Sequence, residues 1–185
     1  NCVACQVLIV PKEWPQKSAF VGALETTMAT SGARGLYYPG AKDRLAGFSK
    51  NNPQTRSLQR QGDESLLIAP LDADNTYART QEVFAPALSV TELPGLDPEA
   101  YLRAAIDFAN SQLYGTLGAN IVIHPKTIEQ IGRSRFEAML IDLRYGTIAI
   151  NTWTALGFLT PQATWGAFPG HTLADVQSGI GVVHN

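Results

Sequence analysis

The amino-acid sequence predicts an α/β fold: a largely parallel open sheet in a three-layer arrangement, with helices covering both of its faces. Apolar runs such as "VLIV" at 7–10 and the first six residues of "LLIAPLD" at 66–72 are typical of strands buried on both faces. These runs alternate with segments whose apolar residues recur at helical spacing. Hydrophobic residues make up 45% of the 185 residues and charged residues 16%, so the composition excludes a disordered chain.

The first third of the chain predicts one strand and two helices. "VLIV" is the strand, and Pro11 ends it. A helix follows within 15–32, because Pro15 suits an early helical position and Gly32 suits a stop. Its apolar positions predict one face packed on the sheet. After the loop "ARGLYYPGA", the segment "AKDRLAGFSK" predicts a short helix, and the polar segment 51–65 predicts a solvated loop.

The rest of the chain continues the alternation. Strands are expected at 66–72 and in "ALSVTEL", followed by a helix in "DPEAYLRAAIDFANSQ" with Pro98 at its first position. "GANIVIHP" predicts a strand, "KTIEQIGRSRFEAMLIDLRY" one helix, and "GTIAIN" a further strand. No segment resembles a linker between domains, so we expect residues 1–185 to form a single domain.

Charge and composition narrow the classes of partner. The net charge of −2 and the isoelectric point near 5.9 give no reason to expect binding to nucleic acid or to an anionic membrane. No apolar stretch approaches the ~20 residues of a membrane-spanning helix. Two cysteines are too few for a disulfide scaffold, so a reducing cytoplasm is expected.

The segment "CVAC" places Cys2 and Cys5 at a spacing that supports several interpretations. A zinc site would need further ligands, and the three histidines are isolated from one another, so we expect no metal. A thioredoxin-like redox pair usually precedes a helix, whereas a strand follows here. A single catalytic thiol beside a packed cysteine, and two inert core cysteines, both remain open.

Five segments in order resemble motifs of the aldehyde dehydrogenase superfamily. "NCVACQVLIV" is similar to the stretch around the family's nucleophilic cysteine, and "EVFAPALSV" to its Glu-x-Phe-Gly-Pro-Val motif. "AAIDFANSQLYGTLGANIVI" resembles its helix, Tyr-Gly turn and strand, "LRYGTIAINTW" its Gly-x-x-x-x-Asn strand, and "QSGIG" its C-terminal Ser-Gly-x-Gly. The chain is therefore identified as a divergent member, with the fold of the family's catalytic domain.

The resemblance implies that the parent protein oxidises an aldehyde to an acid with NAD or NADP. Cys2 takes the position of the nucleophile, which forms a thiohemiacetal and then a thioester that water hydrolyses. The family's general base and its N-terminal cofactor-binding domain would lie upstream. We expect the chain to be the isolated catalytic domain of a homo-oligomeric parent, inactive and without tight cofactor binding by itself.

The resemblance also assigns residues to the cofactor and to the substrate. Glu82 would bind the nicotinamide ribose and Phe84 would pack against the nicotinamide, although a core aromatic is the alternative for Phe84. Asn151 would line the substrate tunnel, and a turn cap after "TIAI" is its alternative. The uncharged segment after it suggests an apolar tunnel for an apolar aldehyde, or side chains packed under a loop or against another subunit. The tunnel residues are Asn151, Trp153, Phe158 and Trp165.

Two departures from the family pattern keep other functions open. Ala85 replaces the glycine that follows the phenylalanine, and "TWGAFPGHTLADVQSGIG" lacks the lysine of the C-terminal motif. A CoA-acylating enzyme would release the thioester with CoA instead of water. A catalytically silent member would act as a binding or structural subunit.

Overall fold

A computed structural model describes residues 2–62, 65–72 and 74–184 of the chain. It divides the chain into two compact units, residues 3–97 and residues 98–185, with Cys2 grouped with the second. The expectation of one catalytic domain over 1–185 stays a prediction. Within the described ranges, no helix is both long enough and apolar enough to cross a membrane.

The first unit is built on a four-stranded, mostly parallel sheet. Its strands are β1 (Val7–Pro11), β2 (Arg56–Leu58), β3 (Leu66–Pro70) and β4 (Ala87–Leu93), in the order β1-β4-β3-β2. β4 pairs in parallel with both β1 and β3, and β2 pairs antiparallel with β3. The apolar runs place β3 and β4 in the core, as their sequence predicts. The predicted α/β class is confirmed.

Three helices accompany this sheet: α1 (Lys17–Thr30), α2 (Ala41–Asn51) and α3 (Thr76–Thr80). Phe48 on α2 packs with Ala69, Val83 and Ala87 in a buried cluster. No residue of α1 is fully buried, so the face of α1 that the sequence predicts to pack on the sheet is only half-buried. The short helix α3 has no counterpart among the predicted elements.

The sequence predicts a solvated loop over the polar segment 51–65, and this prediction is wrong for part of the segment. Its residues Arg56–Leu58 form β2 at the edge of the sheet. Arg56 and Ser57 are exposed, and charged or polar side chains on an edge strand discourage its pairing with another chain. Positions 63 and 64 lie outside the described residues.

The second unit carries the remaining elements. They are α4 (Pro98–Gln112), β5 (Gly118–Ile121), α5 (Pro125–Ile131), α6 (Arg133–Asp142), β6 (Thr147–Ile150), α7 (Ala155–Leu159), β7 (Trp165–Gly166) and β8 (Val182–His184). β5 pairs in parallel with β6, and β7 antiparallel with β8. The buried core joins α4 to the two following helices and consists of Leu102, Ile106, Ile131, Phe136, Met139 and Leu143.

The single helix predicted over 126–145 is wrong, because the chain forms α5 and α6 with a break at Gly132. Gly132 has a φ of 91°, in the region that favours glycine. Its N–H donates to Ile128 O at 2.9 Å, and its own carbonyl accepts from Phe136 N at 3.0 Å. One helix therefore ends and the next begins at the same residue.

Candidate functional site

The segment Glu82–Phe84 lies just before β4, at the end of the sheet where β1 also begins. The two strands are parallel and Val7 stands opposite Ser89. Gln6, the residue before β1, accepts a hydrogen bond from Ser89 N at its backbone carbonyl, at 2.8 Å. The register of this strand pair therefore brings Gln6 and the segment Glu82–Phe84 together, although 76 positions separate Gln6 from Glu82.

The Gln6 amide contacts two consecutive residues of this segment. Its Nε2 donates to Glu82 Oε1 at 3.2 Å, and its Oε1 accepts from Val83 N at 3.3 Å. Val83 is buried, with 4% of its surface exposed, whereas Glu82 is exposed. The arrangement thus presents a carboxylate to solvent from a backbone that is anchored in the core.

Arg44 holds the same segment from the other side. Its Nε donates to Val83 O at 2.6 Å, and its Nη1 donates to Pro39 O at 3.0 Å. The ring of Tyr38 meets the ring of Phe84 edge to face, with centroids 4.6 Å apart. Arg44 and Tyr38 therefore attach the loop before α2 to the residues before β4.

An open groove of about 410 Å³ lies at this place, lined by Tyr38, Pro39, Arg44, Glu82 and Phe84. A carboxylate accepts hydrogen bonds from sugar hydroxyls, and aromatic rings pack against a planar heterocycle. Glu82 could therefore accept hydrogen bonds from the hydroxyls of a nicotinamide ribose, and Phe84 could pack beside the nicotinamide ring. In the described ranges, no group of three or more His, Cys, Asp or Glu side chains could hold a metal ion.

Three described non-glycine residues have a positive φ: Phe84 at 52°, Asn151 at 53° and Gln177 at 44°. Residues with a side chain rarely adopt this conformation, and it costs of order 1–3 kcal/mol. Each of the three lies in one of the segments that resemble the family's motifs. Such conformations persist where the surrounding structure imposes them.

Both cysteines are free and exposed. Cys5 is therefore not fully buried, although the catalytic-thiol interpretation predicts a packed hydrophobic neighbour at this position. Its Sγ donates to Val7 O at 3.3 Å, and local crowding by protein atoms removes water from the sulfur. This desolvation raises the pKa of the Cys5 thiol, which lowers its thiolate fraction at neutral pH.

In the second unit, Asn151 follows β6 and binds the chain that leaves β5. Its Oδ1 accepts from Ile123 N and its Nδ2 donates to Ile123 O, both at 2.8 Å. Its own N–H donates to Ile121 O at 2.8 Å. The side chain therefore bonds the neighbouring segment after β5 rather than its own turn. The turn-cap interpretation stays a prediction, as does a place in the substrate tunnel.

The aromatic residues predicted for the tunnel differ in exposure. Trp153 is 56% exposed and Phe158 51%, whereas Trp165 is buried at 4%. Phe158 and Trp165 meet edge to face with ring centroids 5.7 Å apart. Trp165 therefore supports Phe158 from within the unit, while Phe158 and Trp153 offer the apolar surface.

In the second unit, side chains of the C-terminal segment "QSGIG" bond the backbone at and just after the Tyr-Gly turn. Ser178 Oγ accepts from Thr116 N at 2.7 Å, and Gln177 Oε1 accepts from Gly115 N at 3.3 Å. The Tyr-Gly turn and "QSGIG" are thereby in direct contact. Gln177 supplies one of these bonds from its left-handed backbone.

The sequence does not predict a role for Gln6, Tyr38 or Arg44. Arg44 lies in a predicted helix and Tyr38 in a predicted loop, where local pattern assigns them no role. Gln6 offers a weak signal, since it is a polar residue directly before a buried apolar strand. Only the pairing of β1 with β4 reveals its partners.

No family profile and no curated protein sequence matches the chain. Solved structures do match. Lactaldehyde dehydrogenase from Escherichia coli is 18% identical with a TM-score of 0.69, over 100% of this chain and 38% of that chain. An NADP-dependent glyceraldehyde-3-phosphate dehydrogenase from Bacillus halodurans C-125, complexed with NADP, has the same identity and TM-score. The match covers 100% of this chain and 37% of that chain. A salicylaldehyde dehydrogenase from Pseudomonas putida G7, complexed with salicylaldehyde, is 20% identical with a TM-score of 0.64. The match covers 90% of this chain and 35% of that chain.

The chain thus has the fold of a portion of the aldehyde dehydrogenases. The resemblance that the motifs indicate is confirmed at the level of the fold, as is the expected α/β class. The chain spans between 35% and 38% of the length of these three structures. The roles of Cys2, Glu82, Phe84 and the tunnel residues stay predictions.

Iodoacetamide should alkylate Cys2 before Cys5, because the raised pKa of Cys5 lowers its thiolate fraction at pH 7. Peptide mass spectrometry over time measures both rates, and the Cys5 rate should rise with pH into the alkaline range. Cys5→Ser is the matched control and should leave the Cys2 rate unchanged. Equal rates for the two thiols at pH 7 would contradict the assignment.

Proposed function

We propose that this chain is the catalytic portion of an NAD(P)-dependent aldehyde dehydrogenase that oxidises an aldehyde to an acid. The observation that carries the proposal is the segment Glu82–Phe84, which presents a carboxylate and an aromatic ring at an open groove. The fold shared with dehydrogenases of lactaldehyde, salicylaldehyde and glyceraldehyde-3-phosphate supports it.

Cys2 is the nucleophile in this proposal. Its sulfur attacks the aldehyde carbonyl carbon and forms a thiohemiacetal. Loss of hydride from that carbon, with transfer of the hydroxyl proton to water, gives a thioester. Hydrolysis of the thioester releases the acid and the thiol. A thiolate suits both steps, because it is a good nucleophile and a good leaving group. The exposed position of Cys2 leaves the sulfur open to substrate.

Glu82 and Phe84 bind and orient the cofactor. Glu82 accepts hydrogen bonds from the nicotinamide ribose hydroxyls, and Phe84 packs against the nicotinamide. When bound, NAD or NADP supplies the hydride acceptor. The dehydrogenase from Bacillus halodurans that resembles this chain is complexed with NADP, which makes NADP the first cofactor to test.

The substrate in this proposal is an apolar aldehyde. Trp153 and Phe158 expose aromatic surface in the second unit, and Leu156 and Leu159 on α7 add aliphatic surface. An apolar surface of this extent on one short segment marks a binding site or an interface. We further propose a homo-oligomeric parent and a cytoplasmic location, where a reducing environment preserves the thiol.

Replacing Cys2 by Ala in the full-length protein should lower aldehyde oxidation by more than roughly 10³-fold, because the nucleophile is lost. NADPH formation measured at 340 nm reports the activity, and calorimetry with NADP⁺ shows whether the cofactor site is intact. Cys5→Ala is the matched control and should retain activity. Dehydrogenase activity that survives in Cys2→Ala would refute the nucleophile. A wild-type protein that binds neither NAD⁺ nor NADP⁺ would favour the silent family member.

The kcat/KM of the full-length protein should rise with the length of straight-chain aldehydes of about two to ten carbons, by roughly fourfold per buried CH₂ at most. Phe158→Ala should flatten this profile. The matched control Leu173→Ala removes another exposed apolar side chain of the same unit and should not. A flat profile in the wild type, or one highest for a charged semialdehyde, would instead favour the interface interpretation.

A further inference from the structure

We propose that Gln6 is a positioning residue that fixes the Glu82 carboxylate for the nicotinamide ribose. The inference rests on the proposed function, since it concerns the cofactor site of that reaction. Gln6 need not touch the cofactor, because it acts through Glu82.

The hydrogen bonds determine how the Gln6 amide is oriented. Val83 N can only donate, so the side-chain oxygen of Gln6 must face it. The NH₂ group then points to Glu82 Oε1, at 3.2 Å. A single planar amide thus connects a buried backbone N–H to an exposed carboxylate. Glutamine carries both a donor and an acceptor at this distance from the backbone, as the contact requires.

The Glu82 carboxylate needs such a partner because it lies at the surface. A free glutamate side chain samples several rotamers, and fixing them on binding costs free energy. The bond from Gln6 fixes one carboxylate oxygen before any ligand arrives. Among the described residues, none donates to the other oxygen, Oε2, which is open to hydroxyl donors. Gln6 therefore orients the carboxylate without using all of its acceptor capacity.

The backbone beneath Glu82 is held independently of Gln6. Arg44 Nε donates to Val83 O at 2.6 Å, and the Val83 side chain is buried. The Tyr38 ring packs against Phe84. Loss of the Gln6 amide should therefore release the Glu82 carboxylate more than it disturbs the segment, which separates a positioning role from a structural one.

Two variants in the full-length protein distinguish the two bonds of Gln6. Gln6→Met keeps the length of the side chain and removes both bonds. Gln6→Glu keeps the acceptor for Val83 N but replaces the donor to Glu82 by a second carboxylate. If Gln6 positions Glu82, both variants should weaken NADP⁺ binding by roughly five- to tenfold, measured by calorimetry. The KM for NADP⁺ should rise by a similar factor, while kcat changes little. Gln81→Met is the matched control, one residue before Glu82 and exposed, and it should bind as the wild type does.

Hydrogen exchange of the peptide that contains Val83 supplies a readout without cofactor. Exchange should quicken in Gln6→Met and stay near the wild-type rate in Gln6→Glu, because only the first loses the acceptor for Val83 N. Wild-type affinity in both variants would overturn the positioning role while the proposed function stands. Wild-type affinity in Gln6→Glu alone would assign the effect to the Val83 bond and overturn it as well. A wild-type protein that binds no dinucleotide would overturn the proposed function and the inference together.

Discussion

The parallel pairing of β1 with β4 is the constraint on which the candidate cofactor site depends. Its register sets Val7 opposite Ser89 and so carries Gln6 to the start of β4. One amide then reaches both Glu82 and Val83. A shift of one residue in this pairing would turn every side chain of β1 to the opposite face and separate Gln6 from its partners. The positions of the side chains in the site therefore depend on the register of the sheet.

The described non-glycine residues with a positive φ lie in the segments that resemble the family's motifs. Phe84, Asn151 and Gln177 adopt a left-handed backbone, and each is held by neighbours with named contacts or makes such contacts itself. Tyr38 packs on Phe84, Ile123 binds the Asn151 amide, and Gln177 bonds to the Tyr-Gly turn. Conformations that cost energy persist where surrounding contacts impose them. In this chain those places coincide with the segments that resemble the aldehyde dehydrogenase motifs.

The sequence predicts the parts of the fold that depend on local pattern. Apolar runs mark β3 and β4, and Pro98 marks the beginning of α4, because burial and proline geometry act over a few residues. The break at Gly132 arises from the positive φ of a glycine, which periodicity does not encode. The edge strand β2 depends on its tertiary pairing with β3. The motifs indicate Glu82 and Phe84 as candidate cofactor-binding residues. Gln6, the partner of Glu82, could not be predicted, since the contact crosses more than seventy residues of chain.

A crystal structure of the full-length protein with NADP⁺ tests the central claim most directly. We predict that the nicotinamide ribose hydroxyls donate hydrogen bonds to the Glu82 carboxylate. The nicotinamide should pack beside Phe84, and Gln6 Nε2 should remain on Glu82 Oε1. A dinucleotide bound away from this segment would contradict the account, as would a ribose held by Glu82 after Gln6 has left the carboxylate.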